Sequence, residues 1–502
     1  MFSKVKSCAV HGVDGRMIDV EADVNDGLPV FTMVGYLSSS VRESSERVRT
    51  ALKNSGFHLP PKRITINLSP ADMRKDGSGY DLAIATAVLL SLGVTAELPM
   101  EQTLVLGELS LDGSIKAIPG VLPMVICARE EGMTSCIVPK ENVQEAALVQ
   151  GISVIGVSSL KETMEYIQGI KEYENTNVEQ PAVDTSEYLY DIDFSDVVGQ
   201  ESIKRGMEIA AAGFHNVLLT GAAGAGKSML AKRLPTILPQ MSFEESLEVT
   251  KIYSVGGMLP PEGGLIHRRP FRAPHHTISE YALIGGGRVP TPGEVSFAHY
   301  GVLFLDELPE FSKPVLEVLR QPLEDRRIRI SRVQASYEFP ADFMFVAAMN
   351  PCPCGNYPDY RRCSCTEQQI RRYQSKVSGP LLDRIDIRME VKGVKQEVLF
   401  SKQKTESSKT IRARVEQARQ MQKERFAGTG LLFNSQLDGK NLEEYITLSE
   451  EGKRLVLQLF EEQELSVRGV HRVLKLARTI ADLAGSEEIE HAPVSYTHLR
   501  AH

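Results

Sequence analysis

The chain has 502 residues, too many for one hydrophobic core, so two to four domains are expected. Its balance is ordinary for a globular protein, 42% hydrophobic and 24% charged, and a formal net charge of −8 excludes a wholly basic nucleic-acid binder while leaving local basic patches open. Seven cysteines, four of them within residues 352–365, point to reducing cytoplasm and a local cluster rather than a disulfide scaffold.

Residues 1–20 lack an apolar core followed by a cleavage site, so no signal peptide is expected. The longest apolar run, 82–94, is broken by Thr86, Ser91 and Gly93. It falls short of the about 20 residues that span a bilayer and reads as a buried helix. Residues 1–170 alternate short apolar strands (64–68, 103–106, 135–138) with helices (81–92, 121–131), an α/β unit with its own core. Residues 171–190 carry acids and a proline without periodicity and read as a linker. A second α/β domain is expected over 191–394, followed by helices over 395–493. The last of these, 467–484, places Val470, Leu474, Ala477 and Ala481 on one stripe. Residues 494–502 (VSYTHLRAH) do not continue the pattern; they read as translated adaptor sequence, or else as a short disordered tail.

In the second domain a short apolar strand, 216–220, runs into Gly221-Ala222-Ala223-Gly224-Ala225-Gly226-Lys227-Ser228 and then a helix-forming stretch. This is the G-x-x-x-x-G-K-S loop in its strand-to-helix setting. The small residues Gly221, Gly224 and Gly226 let main-chain amides wrap a phosphate, Lys227 is expected to reach the β- and γ-phosphates of ATP, and Ser228 to ligate Mg²⁺. A second strand, 301–305, ends in Asp306-Glu307, with Asp306 expected to hold Mg²⁺ and Glu307 to polarise the attacking water. A third, 343–349, ends in Asn350, which either orients that water or opens a turn before Pro351. Further on, Arg384 is flanked by Asp383 and Asp386 and reads as a finger for a neighbour's γ-phosphate, while Arg468 opens the last helix, either to reach the nucleotide or to form a surface ion pair.

Two segments carry local positive charge. Residues 267–288 hold Arg268, Arg269 and Arg272 among several histidines, with one acid, Glu280; residues 326–332 hold four arginines and no acid. The alternation Arg327-Ile328-Arg329-Ile330 is strand-like and puts Arg327 and Arg329 on one face. DNA phosphates would suit both segments, as would acidic groups at a subunit interface. Cys352-x-Cys354 and Cys363-x-Cys365 offer a four-thiolate set for structural Zn²⁺; free thiols or a redox pair are the alternatives.

Residues 191–490 resemble the magnesium-chelatase-like AAA+ ATPases, and the whole chain to 490 resembles the YifB/ComM family of bacterial proteins. The resemblance is carried by RRPFRAPHHTISEYALIGGG (268–287), PTPGEVSFAHYGVLFLDELPEF (290–311), NPCPCGNY (350–357), SGPLLDRIDI (378–387) and LARTIADLAG (476–485). It implies a homo-oligomeric ring, most simply a hexamer, with Arg384 acting in trans and Arg468 as sensor 2. It also implies a helical C-terminal lid, pore-facing inserts, and ATP-driven DNA translocation and branch migration. A chelatase-type motor that remodels a protein partner is the alternative, and no membrane is involved. Residues 1–170 resemble the Lon-protease-like domain of ribosomal-S5 type. In Lys75-Asp76-Gly77-Ser78-Gly79 the nucleophile position falls on Gly79, and the partner-lysine position on Leu122, so no peptidase activity is expected.

Overall fold

The structure is a computed structural model that describes residues 1–172, 190–260, 264–332, 335–393, 405–462 and 466–490. The expected linker lies almost wholly outside the described residues, as does the 494–502 tail.

The N-terminal domain is a seven-stranded mixed sheet in the order Phe31–Val34, Arg63–Ser69, Asp14–Asn25, Phe2–His11, Thr103–Val105, Ser135–Pro139, Ser153–Val157. The long strand Asp14–Asn25 shows why it lies there. Ile18, Val20, Ala22 and Val24 alternate inward and are buried against the helix Asp81–Ser91. That helix is apolar nearly all round and buried nearly all round. Its one acid, Asp81, is fully buried, where the Arg47 guanidinium donates to it at 2.8 and 3.1 Å.

The second domain is a five-stranded sheet, every pair parallel, in the order Phe271–Arg272, Val302–Leu305, Met344–Met349, Val217–Thr220, Ile387–Glu390. The three central strands are continuous apolar runs, as a parallel sheet covered on both faces requires. Parallel strands deliver their C-terminal ends to one edge, so Thr220, Leu305 and Met349 finish side by side. The helices Glu201–Gly213 and Ser408–Arg425 cover one face.

The C-terminal helices form the expected lid, with one correction. The buried stripe of Val467–Leu483 is Gly469, Val473, Leu476, Ala477, Ile480 and Ala481, so Val470 and Leu474 lie only at its margin. The register turns because two charged residues are buried with it. Arg478 and Asp482 pair at 2.9 Å, and Asp482 also accepts from Arg425 and from Asn434. Leaving a buried charge without its partner costs about 3–5 kcal/mol. Asp482→Ala should therefore speed amide hydrogen exchange across Val467–Leu483 by orders of magnitude, and unchanged protection would show that the network carries no weight.

Candidate nucleotide site

The loop between Thr220 and Lys227 closes because two positions accept left-handed backbone: Gly224 at φ +76° and Gly226 at φ +95°. Gly221 is constrained differently, since a side chain there would stand 2.2 Å from the carbonyl oxygen of Val391. The loop then feeds the helix Lys227–Arg233, whose first amides are free of intrahelical partners. Gln200 braces it from outside, donating to the carbonyls of Ala225 at 3.3 Å and Lys392 at 2.6 Å.

Lys227 is only 7% exposed. Its ammonium donates to the carbonyls of Gly221 at 2.7 Å and Ala222 at 2.9 Å, and to Oδ1 of Asn350 at 3.0 Å. Burial pushes its pKa down, while Asp306 and Glu307 push it up. Ser228 Oγ donates to Asp306 at 2.5 Å, so the two residues expected to hold Mg²⁺ meet across the loop and the second strand. Hydroxyl and carboxylate are hard oxygen donors suited to that ion. Glu307 follows in left-handed backbone, φ +52°, with its side chain exposed and its carboxylate 3.9 Å from His276. Such a conformation is costly for a non-glycine residue and turns Glu307 out of the strand direction. Glu307, Asn350 and Pro353 line one cavity of about 500 Å³, together with Arg372, Tyr373 and Lys376. The arrangement can grip a triphosphate, hold a divalent cation and present a carboxylate to water.

Comparison with known sequences agrees with this geometry. The family described as magnesium chelatase, subunit ChlI, matches residues 193–399. A second family, subunit ChlI of Mg-chelatase, matches 20–142, and a third, magnesium chelatase subunit ChlI C-terminal, matches 405–497. Competence protein ComM of Haemophilus influenzae is 40% identical over 491 residues, covering 97% of this chain and 94% of that one. The chain belongs to the YifB/ComM family of magnesium-chelatase-like AAA+ ATPases. YifB of Escherichia coli, described as uncharacterized, has the same identity and coverage. Lon protease 2 of Bacillus subtilis is 30% identical over 183 residues, 32% of each chain, which accords with a Lon-like α/β domain. Among the described residues, no helix is long and apolar enough to cross a membrane.

The arginines of this family member are placed unevenly. Arg384 and Arg468 do not approach their own phosphate loop. Both bind Glu324, at 2.6 and 3.5 Å, in a cavity of about 310 Å³ whose lining includes none of Gly221–Ser228, Asp306, Glu307 or Asn350. The last helix presents Arg468 beside Arg384, in an ion pair of the kind that was the alternative reading of this residue. Arg269 is corrected as a DNA contact. It is 5% exposed, pairs with Glu245 at 3.0 Å, and donates to the carbonyls of Pro239, Gln240 and Tyr300, so four of its five N–H groups are taken up inside the fold. Arg272 is forked onto Glu294 at 2.6 and 2.7 Å, and Arg268 lies over the Tyr190 ring. Arg327 and Arg329 do share an exposed face, on the hairpin Arg327–Ser331 with Ser336–Pro340, but Glu338 on the facing strand binds both.

Four residues that contact the candidate site residues escaped the sequence reading. Glu324 and Glu338 belong to no motif, and Gln200 lies twenty-one residues before the loop it braces. His276 stood out only as part of a basic segment; nothing in spacing ties it to Glu307. Lys227→Ala should abolish binding of a fluorescent ATP analogue. Glu307→Gln should keep that binding and slow hydrolysis by about 10²–10⁴-fold. A parent hydrolysis rate in the second variant would remove Glu307 from the chemistry.

Proposed function

We propose that the chain assembles into a ring, a hexamer being the simplest, and uses ATP hydrolysis to move along DNA. The observation that carries the shared site is the position of Arg384. A guanidinium held on Glu324 in a cavity apart from its own nucleotide loop serves hydrolysis only when it meets the γ-phosphate of a neighbouring copy. Arg468 would enter the same interface. ATP with Mg²⁺ on Ser228 and Asp306 supplies the reaction; Glu307 holds the water's proton and Asn350 sets its orientation.

DNA is favoured as the track by the exposed faces of Arg327 and Arg329, 52% and 61% exposed, with one carboxylate between two guanidiniums. Arg332 ties this hairpin to the short hairpin formed by Gly285–Gly286 and Thr291–Pro292, donating to the carbonyl of Gly287 at 3.0 Å. Repeated around a ring, the surplus charge would face one channel. The relative named competence protein ComM is consistent with handling of DNA. A second reading, a motor that remodels a protein partner, is favoured by the internal pairing of Arg269 and Arg272, which leaves fewer free cations than the sequence suggests.

The N-terminal domain is proposed to be without peptidase activity. Gly79 offers no nucleophile, Ser78 donates its hydroxyl to Glu108, and Leu122 is fully buried. The cysteine cluster is proposed to hold structural zinc. Sγ separations of 3.4, 3.6 and 3.8 Å among Cys352, Cys354 and Cys363, with Cys365 within 4.8 Å, suit a tetrahedron. Thiolates at about 2.3 Å from Zn²⁺ stand roughly 3.8 Å apart.

Single-stranded DNA should stimulate ATP turnover severalfold, and more weakly as salt rises; indifference to DNA with stimulation by a protein would favour the second reading. Arg384→Ala and Lys227→Ala should each be inactive alone and regain partial activity when mixed, because one interface then holds both intact groups. No recovery would end the shared-site proposal. Protein purified without chelator should contain about one zinc per chain, and less than a tenth of that would end the zinc reading.

A further inference from the structure

The cysteine knuckle begins two residues after Asn350, and no helix or strand lies between Met349 and Glu367. Its shape therefore rests on turns and on the thiols. Gly355 takes φ +81°, with its N–H donating to the Cys352 carbonyl at 3.0 Å. A side-chain carbon at Gly355 would stand 3.5 Å from the main-chain nitrogen of Ala223 and 3.9 Å from Cγ of Asn350. Thus the knuckle rests on one of the phosphate-loop amides and on the amide that binds Lys227. Cys352 is fully buried, and its sulfur accepts the N–H of Tyr357 at 3.4 Å. From the far side, Gln374 donates to the Pro351 carbonyl at 3.0 Å.

We infer that a thiolate-bound divalent cation of the zinc class is a positioning element for the nucleotide, holding Gly355 against Ala223 and Asn350 against Lys227, so that metal occupancy sets ATP affinity and turnover. The inference rests on the zinc reading above and goes past it, since a metal that only stabilised a surface loop would leave the nucleotide site alone. Four cysteines crowded within 4.8 Å keep that spacing as thiolates only around a cation. Without it they separate, and the sixteen-residue segment 351–366 has no other core to hold its turn on the phosphate loop. A displacement of about 1 Å at such a site costs on the order of 10²-fold in rate.

The full chain would be stripped with a zinc-selective chelator, returned to Mg²⁺ buffer, and measured for zinc content, affinity for a fluorescent ATP analogue, and turnover. Affinity should fall by roughly tenfold and turnover by on the order of 10²-fold, with both restored by one equivalent of Zn²⁺. Gly355→Val, which strains the turn without touching a thiol, should keep its zinc and still lose affinity. Zinc loss with affinity and turnover unchanged overturns the coupling while leaving the zinc site standing. Absence of zinc from the parent protein overturns both. Full affinity in Gly355→Val with zinc bound also overturns the coupling.

Discussion

The nucleotide site is organised around one buried ammonium. Lys227 lies where three oxygens converge, two from its own loop and one from Asn350 at the end of a different strand. An ammonium removed from water needs such partners. The loop therefore cannot move without the third strand, and the third strand cannot move without the loop. The strand order explains how this is possible. Val217–Thr220 and Met344–Met349 are neighbours in register, Thr220 opposite Met349, so the residues just beyond them are brought together by sheet geometry alone. A triphosphate entering this site would draw Lys227 off the carbonyls of Gly221 and Ala222, exchanging neutral acceptors for charged ones.

On the proposed shared site a second set of contacts would have to open, in a cavity that shares no residue with the phosphate loop. Glu324 holds both Arg384 and Arg468. One carboxylate between two guanidiniums is a store of positive charge only partly neutralised, with Arg472 and Lys475 lining the same cavity. Asp383, Asp386, Asp342 and Asp438 line it as well, so the surplus belongs to the Arg384–Glu324–Arg468 group rather than to the whole cavity. An incoming γ-phosphate would compete with Glu324 for Arg384 on favourable terms, since guanidiniums bind phosphate in the same forked way as carboxylate. On that proposal Glu324 would order the arginines in the isolated chain and yield them to a better anion.

The sheet and the phosphate loop were legible because they depend on local rules. Apolar runs of four to six residues ending in Gly-rich or acidic turns can only be buried parallel strands feeding one edge, and the strand bounds agree with the reading within about two residues. What was not legible depends on partners distant in sequence. Arg269 looks like its neighbours in a basic run, yet Glu245 lies across the fold and takes it inside. Arg327 and Arg329 follow a clean alternation, but the acid that partners them is on the returning strand, outside the window that holds the arginines. The lid stripe keeps Ala477 and Ala481 but not Val470 and Leu474. Arg478 and Asp482 satisfy each other and turn inward.

The N-terminal domain is joined to this machinery through the elements next to the site. Gly120 donates its N–H to the carbonyl of Ser254 at 3.0 Å, and Ser254 Oγ donates to the buried carboxylate of Glu145. Val13 packs with Ile252, Phe297 and Phe339, and His11 stacks on Tyr337 at 4.4 Å. Tyr337 and Phe339 belong to the strand that carries Glu338, so one face of the arginine hairpin is fixed to the Lon-like domain while the other stays exposed. A hairpin fastened in this way cannot swing alone. Any motion that the nucleotide imposes on the strand Met344–Met349, which begins four residues after the hairpin ends, must carry the N-terminal domain with it or break an apolar contact. On the proposed function the Lon-like domain would act as a rigid extension of the hairpin, a mechanical role that needs no nucleophile.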